Sequence, residues 1–372
     1  MKILFAAGGT GGHINPALAT AGEIRERYPD AEILFVGTKD KMEAKLVPAA
    51  GFDFATIKIS GFQRKISIEN IIRNIKTIFY LLFCTFSVKK ILKKFKPDVV
   101  VGFGGYVSGP VVRTAAKMGI PTAIHEQNAY PGITNKTLAK IVDRVMLTAE
   151  EAEKYMQCKS PATVTGLPVR GEMLRADRDF ARAKLGIRDD QKLILSMGGS
   201  LGAMTINNAM VDLITDNHKD DSLYFIHAMG QYGLWVPDKL KENGVDLDNA
   251  KNIEIREYIS DMDVCMPAAD VVVCRAGASS LSELQALGKA SILVPSPNVA
   301  ENHQYHNAMA LVNKGAALII EEKELTKEKM QSLFENLVND DANRHSIEAN
   351  AKAMAVADAK EKIADIVLSL IK

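Results

Sequence analysis

Two stretches of this chain echo one another. Lys2 to Gly12 reads KILFAAGGTGG, and Lys192 to Ala203 reads KLILSMGGSLGA. Each is an apolar run, a glycine-rich turn and the start of an amphipathic segment, which predicts strand, loop and helix. A repeat at that separation predicts two domains of similar architecture, each opening with a loop of the phosphate-binding type. The chain's 372 residues suffice for two cores. Between the echoes, strand-like runs at Ala31–Val36, Asp98–Gly102, Pro121–His125 and Val142–Leu147 alternate with helical ones. That alternation predicts an α/β fold with parallel sheets covered on both faces. Pro161, Gly166 and Pro168 interrupt the pattern, so the connection is expected at about Ser160 to Arg170. The expected domains are 1–164 and 165–345, with a last Ala-rich helix over 346–372 packing back on the first.

Composition excludes several classes. A net charge of +1 leaves no global field for nucleic acid, so no nucleic-acid partner is expected. Cys84, Cys158, Cys265 and Cys274 are scattered without metal-type spacing and fit a reducing compartment. The apolar start, MKILFAAGG, is too short for a signal peptide and reads as the first strand. No apolar run reaches membrane-spanning length.

The glycine loops carry the chemistry. In Gly8 to His13 the dinucleotide fingerprint fails, because Ile14 stands where its last glycine belongs, and Gly37-Thr38 replaces the acidic residue after the second strand. No G-K-[ST] follows, so there is no P-loop. What remains is a loop of backbone donors, with Asn15 and Pro16 expected to start the helix. Glycines that merely tighten a turn would look the same. Three such loops, at Gly8–Gly12, Gly102–Gly105 and Gly198–Gly202, favour an anion or sugar cleft.

His13 follows four glycines, where an apolar cage is not expected, and is a candidate general base. Glu126 closes a strand and is a rival base or a salt-bridge partner. Residues 270–308 combine a buried strand, a small-residue turn, a helix expected from Leu281 to Leu287 with Ser279 and Ser280 as caps, and a polar loop. Ser280 and Glu283 have capping-box spacing; a carboxylate there also suits ribose hydroxyls. Asp261-Met262-Asp263 resembles a metal-binding D-x-D, but Ser260 before it reads as an N-cap. His303 and His306 lack companions for a metal, so no metal or other cofactor is expected.

Residues 71–96 hold seven lysines and arginines and no acid. Ile75, Ile78, Phe79, Leu82, Phe83 and Phe86 recur at helical spacing beside Lys89 and Lys90. Burial against the sheet would use part of this face. The apolar edge and basic collar together suit an anionic membrane surface, at about 1 kcal/mol per cation near it.

The motifs GGTGGHINPALA, GGYVSGP, HEQNAYPGITNK, GLPVR, GGSLGA, RAGASSLSELQALG and NHQYHNA, in that order, together resemble the MurG family of bacterial N-acetylglucosaminyltransferases. The resemblance covers nearly the whole chain. It implies a GT-B fold of two Rossmann-like domains facing a cleft, with the acceptor and membrane in the first and UDP-GlcNAc in the second. It implies inverting transfer of GlcNAc from UDP-GlcNAc to the MurNAc 4-hydroxyl of lipid I, giving lipid II for peptidoglycan. Matching donor positions are Thr10, Gly11, Gly12, Asn128, Arg170, Ser200, Ile259, Ala278, Ser279, Ser280, Leu281, Ser282, Glu283 and Gln304. Of these, Ile259 would meet uracil through its backbone and Glu283 the ribose. Arg170 and Ser200 would lie near the phosphates, and Gln304 and Asn128 near GlcNAc. His13 matches the family's proposed base. The family's setting implies peripheral attachment to the cytoplasmic side of the cell membrane, with other cell-wall synthesis proteins as further partners. A UDP-GlcNAc 2-epimerase and a non-catalytic sugar-nucleotide subunit are the alternatives on the same architecture.

Overall fold

The computed structural model of the chain describes residues 1–59 and 83–371. Two compact units emerge, one of Met1–Pro168 plus the chain from Asp358 onward, the other Val169–Ala357.

The first unit contains strands β1 (Lys2–Ala6), β2 (Glu32–Gly37), β3 (Asp53–Thr56), β4 (Val99–Gly102), β5 (Thr122–Glu126), β6 (Arg144–Leu147) and β7 (Thr163–Val164). They form one parallel sheet in the order β3-β2-β1-β4-β5-β6-β7. Successive side chains of a strand point to opposite faces, so β1 divides its residues between two cores. Ile3 and Phe5 join Ile14, Ala17 and Ile24 of the helix Gly11–Arg27 on one side. Leu4 and Ala6 join Val107 and Val111 of the helix Gly105–Lys117 on the other. Burial on both faces explains why β4 reads as an unbroken VVV run.

The second unit contains β8 (Lys192–Met197), β9 (Leu223–Ala228), β10 (Ile253–Arg256), β11 (Val271–Cys274), β12 (Ala290–Leu293) and β13 (Leu318–Ile319). These too pair in parallel, in the order β10-β9-β8-β11-β12-β13. In each sheet the strand order reverses beside the strand that carries the echo motif: between β1 and β4, and between β8 and β11. Ligands of open α/β sheets bind at such switch points, outside the carboxyl ends of the strands.

The returning segment is shorter than 346–372. The helix Asp341–Ala353 belongs to the second unit, where Ile347 enters the core and Lys352 Nζ donates to Ala286 O at 2.5 Å. Only the helix Ala359–Ser369 returns, burying Ile363, Ala364 and Val367 against the helix Gly11–Arg27. Arg27–Asp365 at 2.5 Å and Lys360–Glu23 at 2.7 Å flank that seam.

Three helix starts also differ from expectation. The first helix begins at Gly11 rather than Asn15, and Pro16 lies inside it. Glycine's poor helix propensity hides this start, yet Thr10 O accepts from His13 and Ile14 N–H and closes the turn. The helix expected from Leu281 begins at Ala278, because Gly277 O already accepts from Leu281 N–H. The helix Met262–Ala268 is capped at Asp261, not Ser260.

Ile75, Phe79 and Leu82 of the basic apolar segment lie outside the described residues. The helix over 83–95 buries Cys84, Val88 and Leu92, spaced four apart, against the sheet. Phe83 and Phe86 are exposed at 68% and 72%, beside exposed Lys89 and Lys90. The sheet therefore takes one stripe of this helix and leaves Phe83 and Phe86 outside.

One buried ion cluster ties the second unit together. Asp270 accepts from Arg178 at 2.6 Å, Arg182 at 3.1 Å and the Leu193 N–H at 2.7 Å. Arg182 is itself buried, so removing its counter-charge strands a cation in low dielectric. Asp270→Ala should cost about 3–5 kcal/mol; urea unfolding of the two proteins measures the difference.

Candidate functional site

Each switch point is built from two strand–loop–helix turns lying side by side. In the first unit, Ala6 of β1 pairs in register with Gly102 of β4, and both strands run into glycine loops. The loops touch through main chain: a Cβ on Gly105, whose φ is +75°, would lie 2.3 Å from Gly8 O. No side chain caps the helices that follow at Gly11 and Gly105. Their first N–H groups are aimed beyond the strand ends, where partial positive charge gathers.

His13 sits in the first turn of its helix. Its Nδ1 lies 3.1 Å from Gly8 O and 3.2 Å from Thr10 Oγ1. A carbonyl only accepts, so Nδ1 carries the proton and the basic lone pair falls on Nε2. That is the tautomer a general base requires.

Glu126 is used differently. It is buried, and its carboxylate accepts from Asn128 N–H at 3.0 Å, Asn128 Nδ2 at 3.3 Å, Gly132 N–H at 3.1 Å and Asn135 Nδ2 at 2.8 Å. Burial pushes its pKa up despite these donors. Four donors on one carboxylate make it the clamp that shapes the loop carrying Asn128. Beside it, buried His125 donates from Nε2 to Gly166 O at 2.9 Å and accepts at Nδ1 from Gln127 Nε2 at 3.2 Å. Burial lowers its pKa to about 4, so it stays neutral.

In the second unit, Met197 of β8 pairs with Cys274 of β11, and again both strands end in small-residue loops. Gly202, at φ +83°, passes so close to Met229 O that a Cβ would sit 2.1 Å from it. The helices Met204–Asn217 and Ala278–Leu287 start there without side-chain caps. A cavity of about 390 Å³ opens beside them, lined by Gly198, Gly202, Ala203, Thr205, Arg275 and Gln304 among others. Gln304 is held by Ser296 N–H, which donates to its Oε1 at 2.9 Å. Ser200 lies in the same loop, and Ile259 is buried just beyond β10.

Glu283 lies six residues past the Gly277 cap, so the capping-box reading fails. Its carboxylate instead accepts from Arg170 at 3.0 Å. Burial raises its pKa, and Arg170 only partly offsets this. Asp261 is paired with Arg256 at 2.9 Å, which uses the first carboxylate of the D-x-D.

The first unit thus gathers Thr10, Gly11, Gly12 and His13 at one switch point and Asn128 beside β5. The second gathers Ser200, Ala278 to Glu283, Arg170 and Gln304. Several residues here were not singled out by sequence. Arg275 forms an ion pair with Glu322, whose carboxylate also accepts from Thr205 Oγ1 at 2.6 Å. Buried Asn307 donates to Ala276 O at 3.2 Å. Glu43 is fully buried under the Gly8–Gly12 loop. Arg275 follows a strand and Asn307 sits in the NHQYHNA motif, which were usable signals; Glu43 offered none.

Comparison with known proteins fits this geometry. The model of the glycosyltransferase family 28 N-terminal domain matches residues 3–147, and that of its C-terminal domain matches residues 193–365. A UDP-N-acetylglucosamine--N-acetylmuramyl-(pentapeptide) pyrophosphoryl-undecaprenol N-acetylglucosamine transferase from Acetivibrio thermocellus is 46% identical, over 100% of this chain and 99% of its own length. The same-named protein of Desulforamulus reducens is 44% identical, over 99% and 97%. Among solved structures, MurG of Acinetobacter baumannii superposes with a TM-score of 0.80 at 28% identity, covering 99% of both chains. A UDP-GlcNAc 2-epimerase of Neisseria meningitidis bound to UDP-GlcNAc shares the fold alone, with a TM-score of 0.64 and 15% identity.

A carboxyl whose folded pKa lies above its ordinary 4.5 stabilises the fold below that value, and the contribution is lost as pH rises through the folded pKa. Glu283→Gln should therefore raise stability at pH 7 and bring no gain below about pH 4.5; urea unfolding at the two pH values measures this.

Proposed function

The chain belongs to glycosyltransferase family 28, and from that premise we propose that it moves GlcNAc from UDP-GlcNAc to the MurNAc 4-hydroxyl of lipid I, forming lipid II. It is a UDP-GlcNAc-dependent N-acetylglucosaminyltransferase of peptidoglycan synthesis, built as a GT-B pair of parallel-sheet Rossmann-like units. The observation that carries this assignment from family to chemistry is the pair of uncapped helix N-termini at the β8/β11 switch point.

As the glycosidic bond breaks, the leaving UDP gains negative charge. The first N–H groups of Met204–Asn217 and Ala278–Leu287, with the amides around Ser200, stabilise that charge where it develops. Arg170 adds a cation beside Glu283. This donor set needs no divalent ion. Glu283 accepts the ribose hydroxyls, the backbone at Ile259 meets uracil, and Gln304 and Asn128 hold the sugar. His13 Nε2 takes the proton of the attacking hydroxyl, a service worth about 10²–10⁴-fold. Attack opposite the departing diphosphate inverts the anomeric carbon.

Exposed Phe83 and Phe86 beside Lys89 and Lys90 support docking on an anionic membrane surface at its cytoplasmic side, where a lipid-linked acceptor resides. Among the described residues no helix is long and apolar enough to cross a membrane.

Purified protein should transfer GlcNAc from UDP-GlcNAc to a lipid I analogue in the presence of EDTA; strict dependence on added metal would overturn the metal-free reading. Replacing Phe86 and Lys90 with serine should lower binding to anionic vesicles and spare turnover on a soluble short-chain acceptor. Equal loss in both assays would count against membrane docking.

A further inference from the structure

The most unusual titratable group outside the donor site is Glu43. Its side chain is fully buried, at 0% exposure, yet among the described residues its hydrogen-bond partners are neutral donors. Oε1 accepts from Thr38 N–H at 3.0 Å and Thr38 Oγ1 at 2.7 Å, and Oε2 accepts from Gly9 N–H at 3.1 Å. Burial works to raise its pKa, but the donors outweigh burial and hold the carboxyl below the usual range. A fixed negative charge therefore sits under the first glycine loop at neutral pH.

The fold makes room for it at two places. A Cβ on Gly37 would lie 2.5 Å from Glu43 Cγ, and one on Gly8 would lie 2.8 Å from Glu43 Oε1. The sequence keeps glycine at both. A carboxylate that only filled space would not need a main-chain amide of the site as its partner.

The amide it holds belongs to the Gly8–Gly9 peptide. The carbonyl of that same peptide is Gly8 O, which lies 3.1 Å from His13 Nδ1. We propose that Glu43 is a positioning residue for His13, acting through the Gly8–Gly9 peptide as a carboxylate–peptide–imidazole relay. The inference rests on His13 being the base of the proposed reaction.

The physics is that of coupled hydrogen bonds. A charged acceptor on the N–H draws electron density toward the carbonyl oxygen, which then binds the Nδ1–H more strongly. This fixes the ring's tautomer and orientation, and favours the imidazolium that forms on proton uptake. It is the role a directly bonded carboxylate plays in a catalytic triad, exerted here across one peptide. In the step itself one proton passes from the acceptor hydroxyl to His13 Nε2. The Nδ1 proton stays in place, and Glu43 remains ionised throughout.

Among the described residues, the titratable groups on elements around the first glycine loop are placed otherwise. Tyr106 follows Gly105, and its ring edge would lie 3.6 Å from a Cβ on Gly9. Lys39, Asp40 and Lys41, on the loop leading to Glu43, are exposed and screened. On and beyond β5, His125 stays neutral and Glu126 is committed to four donors. Glu23, Arg27, Lys360 and Asp365 pair with one another along the seam with the last helix.

The test is the pH dependence of kcat/KM with UDP-GlcNAc and a soluble lipid I analogue, using the full chain. Glu43→Gln should move the acidic limb down by about half to one pH unit and lower kcat about tenfold, leaving KM for the donor unchanged. Thr38→Val removes a donor to the same carboxylate without removing its charge, and should leave the limb in place. On a His13→Ala background, Glu43→Gln should add no further loss. An unmoved limb in Glu43→Gln, or additive losses in the double variant, would overturn the relay. Full turnover with an unaltered limb in His13→Ala would instead remove the base assignment itself. The unaltered protein gives a readout independent of folding defects: the Gly9 amide ¹⁵N and Glu43 carboxyl ¹³C shifts should both follow His13 with its midpoint. Flat traces at both nuclei would also overturn the relay.

Discussion

Main-chain contact between neighbouring loops is the constraint on which the leading glycine loop of each unit depends. Gly8 O against Gly105, and Gly202 against Met229 O, are approaches that no Cβ could share. They exist because β1 and β4, and β8 and β9, are adjacent, parallel and in register, so their carboxyl ends stop level. Two loops leave the sheet together, press on each other and turn into two helices. The first peptide N–H groups of the helices that follow are therefore fixed by the sheet itself, and donors preorganised in this way require no ordering of side chains.

Much of this was legible in the sequence. The echo of KILFAAGGTGG in KLILSMGGSLGA located both loops, and the β/α alternation gave the parallel sheets. Helix starts were less legible, because a glycine or small-residue opening carries no propensity signal. Thr10 and Gly277 begin helices by offering a carbonyl, which composition does not display. The capping-box reading of Ser280 and Glu283 failed for that reason, and the true partner of Glu283, Arg170, lies 113 residues away. Glu43 illustrates the wider limit. In KMEAKL it looks like a solvated charge, and only the fold places it beneath a loop 34 residues distant.

Three buried carboxylates are used in contrasting ways. In the second unit, Asp270 is neutralised by two arginines and serves stability. Glu126 and Glu43 of the first unit are held by neutral donors, Glu126 to shape one loop and Glu43 beneath another. A carboxylate with no counter-ion among the described residues keeps an electrostatic influence that a paired one loses.

The return of Ala359–Ser369 to the first unit has a consequence for synthesis. The helix Gly11–Arg27 leaves the ribosome long before the segment that buries its flank. Val169–Ala357 is complete before that final helix emerges, whereas the amino-terminal core must wait for it with apolar surface bare. Nascent chains stalled short of Ile363 would thus carry one finished half and one unsealed half, and the unsealed one is the natural target for chaperones.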